Sequence, residues 1–359
     1  MQNKPRNIYF DVLKIIVSFL VVFNHTGSNA FTLFMQYEPD RIKYWIYLFI
    51  AVAGRIPIPV FLGISGALLL TRREDLKTIW KKRIGSMFMT LLVFSFLSYG
   101  WDVLEGKMEF SLVEFAKGLY SYQWNYAYWY LYAYLGFLIC LPFLRALVQK
   151  LEDRDYFYLF GIVIVLNGVL PILEYFICPD VSLNEMTRIQ WLATDIVSYP
   201  LLGYFMHHKL KPVNKKRFIV KMWIANLTGI FICMGATYYG MMIGDLTDGG
   251  SVQRFFESFL ILNSSTVFLT VKYLLEKYSM PTKVEKVVAY LGQFTFGIYL
   301  LHPILMWQVL DEINFCRFFV VEWHMDYMPA GILFTLIMWL LSLIITMILK
   351  KIPFVKKLI

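Results

Sequence analysis

The chain has 359 residues, of which 58% are hydrophobic and 18% aromatic but only 16% charged, and its formal net charge is +9. Soluble domains carry about a quarter charged residues, so this composition excludes an ordinary soluble protein and indicates one that crosses a lipid bilayer several times. The four cysteines lie far apart without a Cys-x-x-Cys pair, so neither a metal site nor a disulfide framework is expected. Nothing in the sequence resembles a nucleic-acid-binding module, and no nucleic-acid partner is expected.

Ten apolar segments follow one another along the chain, several of them long enough to cross a bilayer, which takes about 20 residues as helix. No low-complexity linker or clear repeat separates them, so residues 1–359 are predicted to form one domain, an all-α bundle of about ten transmembrane helices. The predicted segments are 9–27, 45–70, 86–104, 127–148, 156–175, 191–207, 218–240, 255–275, 288–310 and 329–349.

The basic residues are concentrated in alternate connections between these segments. One set of connections, which includes both chain ends, holds 25 of the 34 lysines and arginines, and the opposite set holds seven. Lysine and arginine mark the cytoplasmic side of membrane proteins, so both termini are predicted to be cytoplasmic, which requires an even number of spans. The positive net charge is therefore an orientation signal, with attraction to anionic lipid as a secondary effect.

The first segment contains two residues with basic side chains, Lys14 and His25. They are eleven positions apart, close to three turns at about 3.6 residues per turn, so both point the same way and are separated by about 16 Å along the axis. Ionisable groups inside a span usually face the bundle interior or a wet cavity. For each residue the sequence alone leaves a structural role open as the alternative to a functional site. Lys14 would reach the interface or pair with Asp11, and His25 would bond a carbonyl of a neighbouring helix.

Two further ionisable residues lie at a depth similar to that of His25. Arg55 in the second segment and His302 in the ninth are, like His25, about fourteen to sixteen residues from the basic ends of their segments. At about 1.5 Å per residue all three lie in one slice of the membrane. A cation and two imidazoles at one depth predict a site.

Four stretches, in order along the chain, resemble motifs of one membrane family. They are FDVLKIIVSFLVVFNH, GRIPIPVFLGISGALLL, WYLYAYLGFLICLPFL and FTFGIYLLHPILM. The first resembles an opening helix in which ten residues separate a basic residue from a histidine, and the last resembles a late Ile-Tyr-Leu-x-His motif. In this order and spacing the stretches are similar to the acyltransferase-3 family of ten-span, acyl-CoA-dependent membrane acyltransferases, which includes bacterial O-acetyltransferases of cell-surface sugars.

The resemblance implies roles for the basic residues. His25 matches the catalytic histidine of the family, and Lys14 matches the basic residue of its basic-x10-His motif. Arg83 resembles a basic residue that helps to bind acyl-CoA. The family usually has a second arginine three positions away, which is absent here, and Lys82 is one of two lysines that substitute for it.

Arg55 matches the second-span motif and His302 the late-span motif. The resemblance leaves two roles open for Arg55, which either stabilises the oxyanion or orients a sugar hydroxyl. His302 either bonds His25 or the acceptor, or has a structural role. Members often place a histidine two residues before the tryptophan that corresponds to Trp129, whereas Ala127 stands there in this chain.

The resemblance implies an enzyme that moves an acyl group, expected to be acetyl, from acyl-CoA to a hydroxyl of a cell-surface carbohydrate or its lipid-linked precursor at the bacterial cytoplasmic membrane. Acyl transfer needs a base near the hydroxyl and charge stabilisation for the oxyanion. The neutral imidazole of His25 is expected to take the hydroxyl proton and return it to the leaving thiolate, while Lys14 and Arg83 hold the CoA phosphates. An acyl-histidine intermediate and a homo-oligomeric assembly are left open.

The runner-up function is a secondary transporter in which Lys14, His25 and His302 contact an ion or substrate, or a membrane protein of polysaccharide export. The two halves of the sequence show no paired interrupted segments, which inverted-repeat transporters tend to have. Release of CoA from acetyl-CoA separates the enzyme from both alternatives.

Other polar residues have simpler interpretations. His207 and His208 precede a lysine in a basic connection and are expected to be solvated. Glu257 and Trp129 both lie toward the ends of their segments that are away from the basic connections, where interfacial positions are typical. A role at the acceptor entry is the alternative for both.

Overall fold

The computed structural model describes residues 6–26, 30–121, 124–177, 195–310 and 312–359. In these ranges every regular element is helical, which confirms the all-α class. The helices are α1 Ile8–Asn24, α2 Ile42–Ala53, α3 Pro57–Leu69, α4 Leu76–Leu104, α5 Leu112–Ser121, α6 Tyr126–Val148, α7 Asp153–Ile177, α8 Asp195–Tyr204, α9 Lys215–Met242, α10 Leu260–Lys277, α11 Thr282–Leu291, α12 Thr295–Val309, α13 Glu312–Val321 and α14 Tyr327–Leu349.

Within the described ranges, six helical stretches are long and apolar enough to cross a membrane: α2 with α3, α4, α6, α7, α9 and α14. α11 and α12 form a seventh, bent by 43°. Helix α1 has 17 residues and a length of about 26 Å, somewhat short of the roughly 30 Å hydrocarbon core. The segment predicted at 191–207 begins outside the described residues. The chain is thus a multi-pass membrane protein, and the ten spans with cytoplasmic termini stay a prediction.

Helix α1 lies at the centre of the bundle. It contacts α3, α10, α11, α12 and α14, and the side chains of Leu13, Val17 and Val22 on it are fully buried. A membrane helix surrounded by other helices turns its polar residues toward protein rather than lipid. This central position explains why α1 can carry both Lys14 and His25.

The second predicted segment is not one continuous helix. α2 ends at Ala53 and α3 begins at Pro57, because the proline ring removes the N–H that would bond the Ala53 carbonyl four residues earlier. Asn263 Nδ2 donates to the Ala53 carbonyl at 3.0 Å, and Asn24 Nδ2 donates to the next carbonyl at 2.9 Å. Backbone groups at membrane depth need such partners, so two asparagines stabilise the break that carries Arg55.

Helices α3 and α8 cross with their backbones in close approach. A Cβ atom at Gly66 would lie 2.0 Å from the carbonyl oxygen of Pro200, and one at Gly203 would lie 2.0 Å from the carbonyl oxygen of Gly63. Small residues allow membrane helices to approach backbone to backbone. The Gly66 of the FLGISG stretch therefore has a packing role.

The start of α1, the junction of α11 and α12, and the end of α14 meet at one end of the bundle, the basic end. Arg6 Nη2 donates to the Ala289 carbonyl at 2.9 Å, and Lys350 Nζ donates to the Gln293 carbonyl at 2.6 Å. Because α1 starts at this end, His25 lies about 16 Å further into the bundle than Lys14.

Candidate active site

His25 directly follows the last residue of α1. Its backbone N–H bonds the carbonyls of Val21 and Val22, both at 3.2 Å. Thr26 Oγ1 donates to the Phe23 carbonyl at 2.7 Å and closes the last turn. The imidazole is therefore carried by a fixed helix end rather than by a free loop.

The His25 ring bonds the His302 ring, which is one of the alternatives left open for His302. Nδ1 of His25 lies 2.8 Å from Nε2 of His302. Nδ1 of His302 lies 3.1 Å from the Ile298 carbonyl oxygen, which can only accept, so this nitrogen carries the proton. With both rings neutral, Nε2 of His302 accepts the proton of His25 Nδ1. This leaves Nε2 of His25 unprotonated, as a general base requires.

The His25 cavity has a volume of about 380 Å³. Arg55 and His25, which were predicted to share a site, both line it. Glu257 and Trp129 also line it, so both interfacial candidates face the same space. The edge of the Trp307 ring packs on His25, with ring centroids 5.4 Å apart. The cavity is lined by Val21, Asn24, His25, Phe31, Arg55, Pro57, Ile58, Pro59, Tyr126, Ala127, Trp129, Gln253, Glu257, Leu260, Tyr299 and Trp307.

Arg55 enters this cavity from the break between α2 and α3. Its guanidinium Cζ lies 3.4 Å from the centroid of the Phe31 ring, and Nη2 donates to Gln253 Oε1. Nη1 lies 3.8 Å from a carboxylate oxygen of Glu257. The buried Nε–H has no hydrogen-bond partner in the described residues. Arg55 therefore lines the cavity that holds His25 and keeps one N–H that no described residue uses.

The Lys14 cavity lies at the basic end and has a volume of about 710 Å³. Lys14 Nζ is 3.6 Å from Asp11 Oδ1, so the ion pair considered as an alternative forms. Asp11 Oδ2 also accepts a hydrogen bond from Arg6 Nε at 2.6 Å. The lysine nevertheless lines the cavity. The lining residues are Arg6, Asn7, Phe10, Asp11, Lys14, Ala67, Leu68, Thr71, Arg72, His207 and His208.

His208 is exposed, as expected, and His207 is half-buried, but both also bond residues of other helices, which the sequence did not predict. His207 Nδ1 bonds the hydroxyl of Tyr9, and His208 Nε2 lies 2.8 Å from the Ala67 carbonyl oxygen. A π-helical turn over Phe205–Lys209 continues α8, and this turn brings both imidazoles against α1 and α3. The residue pattern of a basic connection carried no signal of this continuation.

A connecting cavity of about 240 Å³ lies between the two larger cavities. It shares Lys14 and Leu68 with the Lys14 cavity and Tyr299 with the His25 cavity. The three cavities thus adjoin in series from the basic end to His25, and both Lys14 and His25 line this series. The connecting cavity is lined by Lys14, Phe61, Ile64, Ser65, Leu68, Met87, Tyr130, Tyr134, Thr295, Phe296 and Tyr299.

Lys82 and Arg83 line none of these three cavities. Lys82 is exposed, and Arg83 Nε donates to Glu74 at 2.7 Å. Glu74 also accepts from Arg145 Nη2 at 2.8 Å. Hydrogen bonds from Arg83, assisted by those from Arg145, lower the pKa of Glu74 to about 2. The structure does not bring Lys82 and Arg83 to Lys14, and their role in donor binding stays a prediction.

Several residues of these sites were missed by sequence reasoning. Arg72 and Arg145 were treated only as orientation charges, and Glu74 and Gln253 were not singled out. The available signal was weak: Glu74 and Asp75 are two adjacent carboxylates in a connection rich in lysine and arginine. Which cation Glu74 would pair with depends on packing between distant helices.

No group of three His, Cys, Asp or Glu residues that could hold a metal ion occurs in the described part of the chain. The acyltransferase-3 family profile, described as an acyltransferase domain, matches residues 7–351. No curated protein and no solved structure matches the chain. The match covers nearly the whole sequence, including His25, Arg55 and His302. The chain therefore belongs to the acyltransferase-3 family of membrane proteins.

Proposed function

We propose that the protein transfers an acyl group, acetyl being the expected one, from acyl-CoA to a hydroxyl of a cell-surface carbohydrate or its lipid-linked precursor, at the bacterial cytoplasmic membrane. The observation that carries this proposal is the series of three adjoining cavities from the cationic basic end to His25. A donor with a charged head and a long arm fits such a series better than a small ion does.

The Lys14 cavity supports the binding of the donor's nucleotide. Its volume of about 710 Å³ lies within the roughly 300–1,000 Å³ of small-molecule sites. Three cations, Arg6, Lys14 and Arg72, face one carboxylate, Asp11, so the lining has a positive excess. Phosphates form short, charge-assisted hydrogen bonds with such groups. In this assignment Arg72 and Arg6 supply the cations that the sequence assigned to Lys82 and Arg83.

The connecting cavity supports the passage of the pantetheine arm. Its lining is mainly aromatic and aliphatic, with Lys14 at the basic end and with Ser65 and Thr295 as further polar residues. The arm has to cover the roughly 16 Å between Lys14 and His25 along α1. Tyr299 lines both this cavity and the next one. The thioester therefore reaches the imidazole after passing the Tyr299 side chain.

The chemistry at His25 is direct transfer. Nε2 of His25 removes the acceptor's hydroxyl proton while the oxygen attacks the thioester carbon and forms a C–O bond. The tetrahedral oxyanion then collapses, the C–S bond breaks, and the imidazolium returns the proton to the thiolate sulfur. His302 touches no reacting atom and acts as a positioning residue, because its Nε2 fixes the proton of His25 on Nδ1.

Arg55 supports the oxyanion stage. Its buried Nε–H has no partner among the described residues, whereas Nη2 and Nη1 are directed to Gln253 and Glu257. A preorganised donor that becomes fully used only when negative charge develops lowers the barrier. The guanidinium is also held flat against Phe31, so little reorganisation is needed.

The acceptor enters from the side of the His25 cavity opposite the connecting cavity. Tyr126 is exposed there, Trp129 lies at the cavity wall, and Glu257 is mostly exposed. Aromatic ring faces and a carboxylate acceptor suit a molecule with several hydroxyl groups. This lining supports a carbohydrate hydroxyl as the acceptor.

The test is CoA release and acyl transfer by the purified full chain in lipid nanodiscs supplied with acetyl-CoA. We expect slow release of CoA by the wild-type protein and a loss of about 100-fold or more in His25→Asn, since general base catalysis contributes about 10²–10⁴-fold. The matched control is His324→Asn, at an exposed histidine far from the three cavities. A His25→Asn protein that keeps the wild-type rate, or a wild-type protein that releases no CoA, contradicts the proposal and favours a transporter.

A further inference from the structure

A second basic cavity lies outside the series described above. It has a volume of about 530 Å³ and is formed between the first turns of α9 and the last turns of α10. It shares no lining residue with the three cavities of the candidate active site. Lys272 of α10 donates to the Met206 carbonyl at 2.7 Å, which joins this groove to the end of α8 and so to the basic end of the bundle.

The lining of this lysine groove has a positive excess. Lys215, Lys216 and Lys277 line it together with one carboxylate, Glu276. That carboxylate is already used, since it lies 2.6 Å from Lys215 Nζ and 3.8 Å from Lys272 Nζ. In the described residues no carboxylate forms an ion pair with Lys216 or Lys277. The groove therefore has two cations ready for an anion.

Tyr273 gives an independent sign of a missing partner. Its side chain lines the groove and the residue is only 8% exposed. Its buried hydroxyl has no hydrogen-bond partner among the described residues, which is unfavourable unless a ligand supplies one. Lys215 Nζ lies 5.0 Å from the centroid of the Tyr273 ring. A phosphate oxygen beside this lysine would also accept a hydrogen bond from the Tyr273 hydroxyl.

The rest of the lining is apolar and open to the surroundings of the bundle. Val220 and Leu274 are each 49% exposed, and Ile224, one turn beyond Val220 on α9, is 62% exposed. A soluble anion would leave this surface uncovered. Acyl chains lying along α9 and α10 would cover it while the headgroup stays at the basic end.

We propose that the lysine groove binds the headgroup of an anionic phospholipid, with phosphate oxygens on Lys216, Lys277 and the Tyr273 hydroxyl. Basic pockets between transmembrane helices on the side that carries the positive residues are typical sites for such lipids. The site is separate from acyl transfer and does not rest on the proposed function.

The experiment measures how much lipid the purified full chain retains in detergent, by native mass spectrometry after exchange into phosphatidylglycerol or phosphatidylcholine. We expect tighter retention of phosphatidylglycerol. Lys216→Gln with Lys277→Gln should weaken it about 25-fold, at about fivefold for each lysine near the headgroup. The matched control replaces Lys283 and Lys286, two exposed lysines of α11 that do not line the groove, by glutamine.

Tyr273→Phe removes one oxygen atom and tests the same site without a change of charge. We expect it to weaken phosphatidylglycerol retention by about tenfold while the protein stays folded, because a hydrogen bond to a charged group is lost. The proposal is overturned if the groove variants and the control variant retain phosphatidylglycerol equally, or if the wild-type protein holds both lipids equally. Displacement of phosphatidylglycerol by millimolar inorganic phosphate would also overturn it, in favour of a soluble anion.

Discussion

Replacing His302 by leucine removes the acceptor of the His25 Nδ1 proton and keeps an apolar side chain of similar bulk. His302 is fully buried, and its Nε2 lies 2.8 Å from Nδ1 of His25. In His302→Leu the N–H of His25 has no partner, or the proton moves to Nε2 and blocks the base. Both results slow the step that removes the hydroxyl proton.

The expected size follows from the lost hydrogen bond. Leaving a buried donor unsatisfied costs about 1–3 kcal/mol, and about 1.36 kcal/mol corresponds to a factor of ten in rate. His302→Leu should therefore lower kcat for CoA release by about 5- to 150-fold. The KM for acetyl-CoA should not change, because the nucleotide is proposed to bind about 16 Å away along α1, beside Lys14.

The matched variant is His302→Gln, whose amide oxygen can accept the same proton. In the CoA-release assay with the protein in nanodiscs, glutamine should recover most of the rate that leucine loses. If leucine and glutamine reduce kcat equally, His302 acts through packing alone. If neither variant changes kcat, the proton on His25 is not set by His302, and the reasoning is refuted.

Three further predictions concern two contributions to stability and the catalytic role of Arg55. Glu74→Gln should destabilise the protein by about 1–2 kcal/mol at pH 7, since charged hydrogen bonds to two arginines are lost. Because the pKa of Glu74 is lowered from 4.5 to about 2, this stabilisation is fully present above about pH 5 and is lost as the pH falls toward 2; a Tm difference that stays constant from pH 7 to pH 3 would contradict the assignment. Gly66→Ala should prevent folding or lower Tm strongly, because the new Cβ would lie 2.0 Å from the Pro200 carbonyl oxygen. Gly100→Ala, in a helix with open space at that position, should stabilise the protein by about 0.5–1 kcal/mol; equal Tm values for these two alanine variants would disprove the close crossing. Arg55→Lys keeps the charge but removes the Nε–H, and should lower kcat by about 10²–10³-fold with an unchanged KM for the donor. A rise in acceptor KM alone would instead assign Arg55 to acceptor binding.

Local properties of the sequence predicted the features that depend on composition and helical spacing. The apolar runs gave an all-helical membrane protein, because only helices or closed barrels satisfy backbone groups in lipid. The eleven-residue spacing of Lys14 and His25 predicted a shared face, since helical geometry alone fixes that relation. The similar depth of His25, Arg55 and His302 predicted one site, while the partner of His302 was left open. The order of the four motifs indicated the family.

Only the tertiary structure decided which distant residues are neighbours. The His25–His302 bond joins positions 277 residues apart, and the tautomer it implies depends on the Ile298 carbonyl. Glu74 pairs with both Arg83 and Arg145, and Arg72 rather than Arg83 lines the Lys14 cavity. The lysine groove exists only because α9 and α10 pack side by side. Spacing along one helix is set by bonded geometry, whereas a pairing between helices is set by packing and charge across the whole bundle.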